Sequence, residues 1–383
     1  MLSRRSYLSL VAFVFSFAIT AASAFAQSGV RPKPSPTPEE APDEEKIFTE
    51  EVRVPVFAFD EQGRFDPRLE VDDVLVNEDG VPQQVKSVRR LPASVLILLG
   101  TGGEVSPFMR TNTTRAIAMN VLKTLREGDQ IAALSFSGKT EVLHGWTEDK
   151  IPVARALKSK LISGPGSDLS KAIVRAVELL REQPVGNRHL VLITDAVDTA
   201  SSAEYSEATR RLIAAQTTLH VISYTEVGKR EMKKASKPKE APGMTQSRAD
   251  IATVGIDPTR PAGARRGGVG INPSSVNSGI RLDPELRRRR KAYERDMKRG
   301  EGRLKTLAEE TGGRILLAGT TEEMVEQGEE VAREIDAQYV VTYQPKRPLR
   351  TASATEYRRI HIGARRIGLT LRARRGYVVG TMR

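Results

Sequence analysis

The sequence predicts an α/β protein: a doubly wound, mainly parallel sheet, with a small β-sandwich formed by the segments that flank it. Three observations carry this. Residues VLILL (95–99) and LVLI (190–193) are unbroken apolar runs of strand length, the pattern of strands covered on both faces. Between residues 93 and 338 such runs alternate with helical periodicities, which selects a parallel sheet with helices on both sides. Before residue 92 and after residue 338, short stretches alternate apolar and polar residues, as strands with one buried face do.

The chain has 383 residues, room for two domains or for one domain with insertions. Residues 1–26 read as an export signal: Arg4 and Arg5 open it, Leu8 to Ile19 is mostly apolar, and Ala24-Phe25-Ala26 fits a small-x-small cleavage site. Ser3-Arg4-Arg5-Ser6-Tyr7-Leu8 also resembles the twin-arginine motif, so the general and the twin-arginine export routes both stay open. No other stretch is long and apolar enough for a membrane span. The absence of cysteine excludes disulfides, thiolate metal sites and a lipidated cysteine, and it suits a bacterial periplasm or cell surface.

Residues 27–47 form a Pro-rich acidic linker. Residues 48–92 follow as the first β segment, with VRVPVFAF (52–59) alternating like a strand; Pro55 favours an edge. Residues 93–338 carry the α/β pattern. After the strand 95–99 comes a helix with Ile117, Val121, Leu122 and Leu125 on one face, then the strand 131–136 with 141–146 paired to it as a hairpin. Helices are expected near 150–161, 169–182 and 204–216, and strands at 190–195 and 219–224. Residues 229–300 hold 19 Lys or Arg against 8 Asp or Glu, nearly the whole excess of the chain's +12 charge. Their first part, 229–282, reads as a disordered insertion. Leu286, Tyr293, Met297 and Leu304 then make a helical stripe that Gly300 and Gly302 are expected to interrupt, before a helix stop at Gly312-Gly313. A strand (314–318) and a helix (321–336) complete the unit, and residues 339–383 return to β. Neither flank has enough strands to close a core, so the two are expected to pair with each other, with Leu369, Leu371 and Ala373 inward and Thr370, Arg372 and Arg374 outward.

The loop GTGG (100–103) first suggests a phosphate cradle, but Val105 stands where a third glycine would be needed and no P-loop lysine follows. Three segments together say more. VLILLGTGGEV (95–105), GPGSDLSKAI (164–173) and VLITDAVDT (191–199), in this order and spacing, resemble the von Willebrand factor A domain. LAEETGGRILLAGTTEEM, AQYVVTYQP, LTLRARRGY and the preceding VLVNEDGVPQQV are similar to a bacterial group of secreted proteins related to that domain. The resemblance spans roughly 48–228 and 301–378.

Family members hold a divalent cation at the top of the sheet, through Asp-x-Ser-x-Ser in one loop, a threonine in a second and an aspartate in a third. By the resemblance, Gly100 stands for that first aspartate, Gly102 for the first serine and Glu104 for the second, while Ser167 takes the threonine position and Asp195 the third-loop aspartate. Glycine offers no side-chain oxygen, and Mg²⁺ demands near-octahedral oxygen ligands. Two readings follow: a remodelled Mg²⁺ site at which Glu104, Asp168 and Asp195 converge with Ser167, or a vacated site where Asp195 and Ser167 act as loop acceptors and helix caps. We adopt the second, with no cofactor. Restoring Asp, Ser and Ser at 100, 102 and 104 is expected to rebuild coordination if the backbone is still arranged for it.

No Gly-x-Ser-x-Gly elbow or nucleophile–base spacing occurs, and His189 and His220 lie in or beside buried strands, so no enzyme is expected. Arg287, Arg288, Arg289, Arg290 and Lys291 form the sharpest charge run. Such a run is a solvated helix face or a polyanion site for an anionic envelope polymer or lipid. Export and the lack of interleaved aromatic residues argue against nucleic acid. The expected function is thus an exported, non-enzymatic adhesion or scaffold module with a protein partner of unknown identity, and the alternative is an anionic-surface binder. Intact-mass measurement on protein recovered from its native compartment should give a chain beginning at Gln27; a chain still beginning at Met1 would refute the signal.

Overall fold

The computed structural model describes residues 50–103, 107–236 and 284–381; the expected signal, the linker, Glu104 and the middle of the basic insertion lie outside the described residues. From the N-terminal side come β1 (Val52–Phe59), β2 (Val74–Glu78), β3 (Val81–Gln83) and β4 (Val85–Arg89). From the C-terminal side come β11 (Tyr339–Tyr343), β12 (Tyr357–Ala364), β13 (Thr370–Ala373) and β14 (Gly376–Val378). These interleave into two antiparallel sheets, ordered β13-β1-β11-β4 and β14-β12-β2-β3. Val52 pairs with Tyr343 and Val56 with Tyr339, and Val56 also pairs with Ala373. The facing sides share one core of Val52, Val54, Val56, Val74, Val76, Val341 and Tyr343, against which Leu369, Leu371 and Ala373 pack. Inside it the fully buried Arg358 pairs with Glu78 at 2.9 Å, and Glu78 also accepts from the Tyr343 and Tyr377 hydroxyls at 2.6 and 3.0 Å. A buried charge of this kind is tolerable only when it is paired and hydrogen-bonded. Pro55 is not on an edge strand: β1 is interior, but β13 covers it only from Val56 onward, so Pro55 lies on the uncovered stretch.

Between β4 and β11 the chain builds the α/β unit. Its strands are β5 (Ser94–Gly100), β6 (Gln130–Phe136), β7 (Thr140–Thr147), β8 (Arg188–Thr194), β9 (Thr217–Ser223) and β10 (Arg314–Leu317). They lie in the order β10-β9-β8-β5-β6-β7, parallel except for β7. The helices are α1 (Pro107–Thr124), α2 (Lys150–Ser159), α3 (Leu169–Leu180), α4 (Ser202–Ala214), α5 (Thr225–Ser236), α6 (Pro284–Glu310) and α7 (Thr321–Ala337). Side chains of β5 alternate between the two layers: Val95, Ile97 and Leu99 meet α1, α2 and α7, and Leu96 and Leu98 meet α3, α4 and the end of α6. Full burial on both faces is the physical reason this strand reads as an unbroken apolar run. None of the described helices is long and apolar enough to cross a membrane.

Two expectations are corrected at the edges of the basic insertion. Helix α5 continues to Ser236, and α6 runs unbroken through Gly300 and Gly302 to a stop at Gly312, whose φ is +83°. Tertiary contacts along α6 outweigh the helix cost of about 1 kcal/mol per glycine. A third correction concerns β13. Arg374 is buried rather than outward, because the outer face of its sheet lies against the α/β unit. Its guanidinium donates to Gln216 Oε1 at 2.8 Å and to the Arg53 carbonyl at 2.6 Å. Arg372 is ion-paired with Glu334 of α7 and sits 4.6 Å over the Phe57 ring. Burial pushes both arginines down to about 10.

At the same junction the Phe57 ring meets His220 edge-on at 6.0 Å. His220 stacks on His189, their ring nitrogens 3.2 Å apart, and His189 reaches Asn187 Oδ1 at 3.0 Å. Both rings are fully buried. Burial pushes His189 down to about 3 and His220 well below its usual range, with the neighbouring His189 and Arg372 adding repulsion. Both therefore stay neutral in the folded state while the unfolded chain takes up protons near pH 6.5. Their contribution to stability is complete above that pH and is lost as pH falls toward 3. Denaturant unfolding at pH 8 and pH 5 should differ by about 2 kcal/mol for each histidine. His220→Gln should remove roughly half of that difference. An unchanged pH slope in the variant would refute the assignment.

Candidate functional site

At the carboxyl ends of the central strands, where open α/β sheets place ligands, the loop after β5, the loop between α2 and α3 and the loop after β8 meet around the β6–β7 turn. Backbone contacts hold them. Thr101 N donates to Phe136 O at 2.9 Å, Gly138 N to Pro165 O at 2.7 Å, Asp168 N to Ser137 O at 2.8 Å and Thr199 N to Ser167 O at 2.9 Å. The glycines make this approach possible. A Cβ on Gly102 would stand 1.7 Å from the Gly166 carbonyl oxygen, and one on Gly100 would stand 2.9 Å from Ile193 O and 3.1 Å from the Phe136 ring. Gly166 itself has φ +77°. The first and second loops are thus in direct backbone contact where the family's ligand side chains would need room.

The predicted site residues other than Glu104, which lies outside the described residues, take the following places. Ser167 is buried and donates to Val197 O at 2.7 Å. Asp168 caps α3 through Lys171 N and binds the Lys171 ammonium at 2.7 Å; that carboxylate raises the lysine above its ordinary range. Asp195 is buried, and its Oδ1 accepts from Val197 N at 3.2 Å. Its Oδ2 accepts from the Tyr293 hydroxyl of α6 at 2.5 Å. Ser167 and Asp195 therefore meet in one loop cluster, whereas Asp168 turns to Lys171. Among the described residues, no group of three acidic or histidine side chains is placed to hold a metal ion. Among the described residues, Ser167 and Asp195 are engaged with Val197 and Tyr293, and Asp168 with Lys171.

The residue that composition and motifs did not single out is Tyr293. Its stripe was visible in the sequence, but nothing in the spacing revealed which strand end the helix would cover. Helix α6 seats on the third loop: a Cβ on Gly300 would lie 1.7 Å from Ala196 O, and Ala196 adopts φ +63°. Met297 is fully buried with its methyl 3.0 Å from where a Gly228 Cβ would be. Beside this contact, a cavity of about 80 Å³ is lined by Asp198, Ser202, Tyr205, Asp296, Arg299 and Arg303. Arg303 lies over the Tyr205 ring at 4.8 Å. In the predicted polyanion run, Arg287, Arg288, Arg289 and Lys291 are exposed and Arg290 is half-buried on the first turns of α6; Arg289 pairs with Glu285 at 2.9 Å.

Residues 104–253 match the model of the von Willebrand factor type A domain. Among solved structures, a von Willebrand factor type A protein from Catenulispora acidiphila is similar at 12% identity and a TM-score of 0.42, over 82% of this chain and 75% of that one. An aerotolerance-related membrane protein from Bacteroides fragilis is similar at 16% identity and a TM-score of 0.36, over 64% and 98%. BatB from Bacteroides thetaiotaomicron is similar at 16% identity and a TM-score of 0.34, over 63% and 98%. No curated protein matches the chain.

The loop geometry predicts two separable losses in denaturant unfolding. Gly102→Ser should destabilise the protein by about 1–3 kcal/mol or more, through forced separation of the loops. Tyr293→Phe should cost about 1.5–3 kcal/mol, because a buried carboxylate loses a donor. A Gly102→Ser protein as stable as wild type would show that the loops have room for the family's side chain.

Proposed function

The chain carries a von Willebrand factor type A domain, and from that premise we propose that it is an exported, non-enzymatic protein-binding module, of adhesion or scaffold type, that works without a bound cation. The observation that carries this is the Tyr293 hydroxyl on Asp195, in a loop cluster whose glycines stand in backbone contact. A cation at this position would use the Asp195 carboxylate and leave an open coordination position for a partner's acid. Here that carboxylate is engaged by the chain's own tyrosine. Binding then rests on the shape and polarity of the surface around the loops and α6.

A non-enzymatic role fits the histidines. His189 and His220 are bonded to each other beneath the sandwich, far along their strands from the loop cluster, and are held neutral by burial. A general base needs hydrogen-bond reach to a substrate proton. The second reading, an anionic envelope polymer or lipid as partner, is favoured by the exposed run at Arg287 to Lys291. Polyanion binding should weaken steeply between low and moderate salt, and a protein interface should not.

The cation-free reading is tested by thermal unfolding with millimolar Mg²⁺ or Mn²⁺ and with chelator. A ligand at a hundred times its dissociation constant adds about 2.7 kcal/mol, and each kcal/mol raises Tm by roughly 2–4 °C. We expect no shift, and the same envelope partners in a pull-down with and without chelator. A saturable rise of several degrees, abolished by Asp195→Ala, would instead favour the remodelled site.

A further inference from the structure

We propose that the first half of α6 is a hinged lid over the third loop, with Gly302 as its hinge and Tyr293 and Met297 as the groups that occupy the binding surface when it is closed. What the lid uncovers rests on the protein-binding reading above; the lid itself does not. The helix divides into two unlike halves. Leu304, Leu307 and Ala308 belong to the apolar core, packed with Leu219 and Val221 of β9. Toward the N-terminus, Tyr293 and Met297 are buried but belong to neither apolar core of the α/β unit. Among the described residues, the attachments of this half include polar or small ones: Tyr293 to Asp195, Met297 beside Gly228, and Gly300 against Ala196. At the boundary, Lys229 of α5 bridges Glu226 at 2.6 Å and Glu301 at 3.4 Å.

The two glycines at the boundary have different reasons. Gly300 is required by contact, because any Cβ would enter the Ala196 carbonyl. Gly302 has nothing within 4 Å of where a Cβ would be, and it is exposed. Packing therefore does not call for glycine there, yet glycine is among the poorest helix formers. A helix weakened at one exposed position, between a half packed into an apolar core and a half outside it, opens at that position first. Opening would release the Asp195 carboxylate from Tyr293 and uncover the Ala196 backbone together, turning a covered surface into a binding one.

The absence of cysteine allows single-thiol reporters on the full chain. Met297→Cys and Leu304→Cys place one thiol in each half, at positions that are fully buried in the closed state. With a small disulfide reagent under native conditions, the thiol at 297 should react at least tenfold faster than the thiol at 304. Adding Gly302→Ala to Met297→Cys should slow its labelling about fivefold, since alanine restores the helix preference lost at the hinge. Equal rates at 297 and 304 would mean that the helix moves as one body, and would overturn the lid. An unchanged rate with Gly302→Ala would overturn the hinge. If either reporter fails to fold, hydrogen exchange on the unmodified chain decides: residues 293–300 and 195–200 should share one rate faster than 303–310, and a single rate for all three overturns the proposal. None of these readouts uses a partner or a metal, so their failure leaves the protein-binding reading standing.

Discussion

The antiparallel seam between β1 and β11 is the interaction on which the rest of the structure depends. It joins Val52 to Tyr343 and Val56 to Tyr339, residues nearly three hundred positions apart. Closing a flexible loop of that length costs about 5 kcal/mol beyond its constant part. The cost is reduced because the α/β unit, once folded, returns its two ends to one place: Arg89, just before β5, pairs with Val340, just after α7. The seam and the α/β unit thus favour each other. Around the seam, β4 adds to β11 and β13 to β1, so that strands from both ends alternate and neither end can shed its partner and keep a core.

The same seam explains which parts of the fold were legible in the sequence. Strands buried on both faces, such as β5 and β8, announce themselves because every residue is apolar. The sandwich was legible from Val52, Val54 and Val56 and from Leu369 and Leu371, because alternation marks one buried face. Alternation says nothing about what covers the opposite face. Arg372 and Arg374 read as solvent residues, yet they meet Glu334 and Gln216, because the sandwich uses that face to dock on the α/β unit. A long cationic side chain can satisfy a buried interface as well as an open surface, and composition does not distinguish the two.

The meeting of the loops was legible, but the helix that covers them was not. Motif order put Ser167 and Asp195 side by side, and both meet Val197 in one loop cluster. It did not reveal that Asp168 would turn to Lys171, since a cap and a ligand are the same residue type at a helix start. Nor did it reveal Tyr293, almost a hundred residues from its partner Asp195. Helix α6 reads as a stripe with two glycine faults, and only the close approach at Ala196 explains one of those faults as a contact.

Glycine plays opposite parts in this cluster. At Gly102 and Gly300 the missing side chain lets one backbone reach another, which ties the first loop to the second and α6 to the third. At Gly302 it meets nothing and only weakens the helix. The loops are held by direct backbone contact, and the buried carboxylate of Asp195 has a tyrosine donor supplied by α6. A buried carboxylate needs such a donor. The donor therefore has to come from an element that covers the loops, and covering them also hides the surface they would offer a partner. Engaging Asp195 and covering the loops are therefore, in physical terms, one act of the same helix.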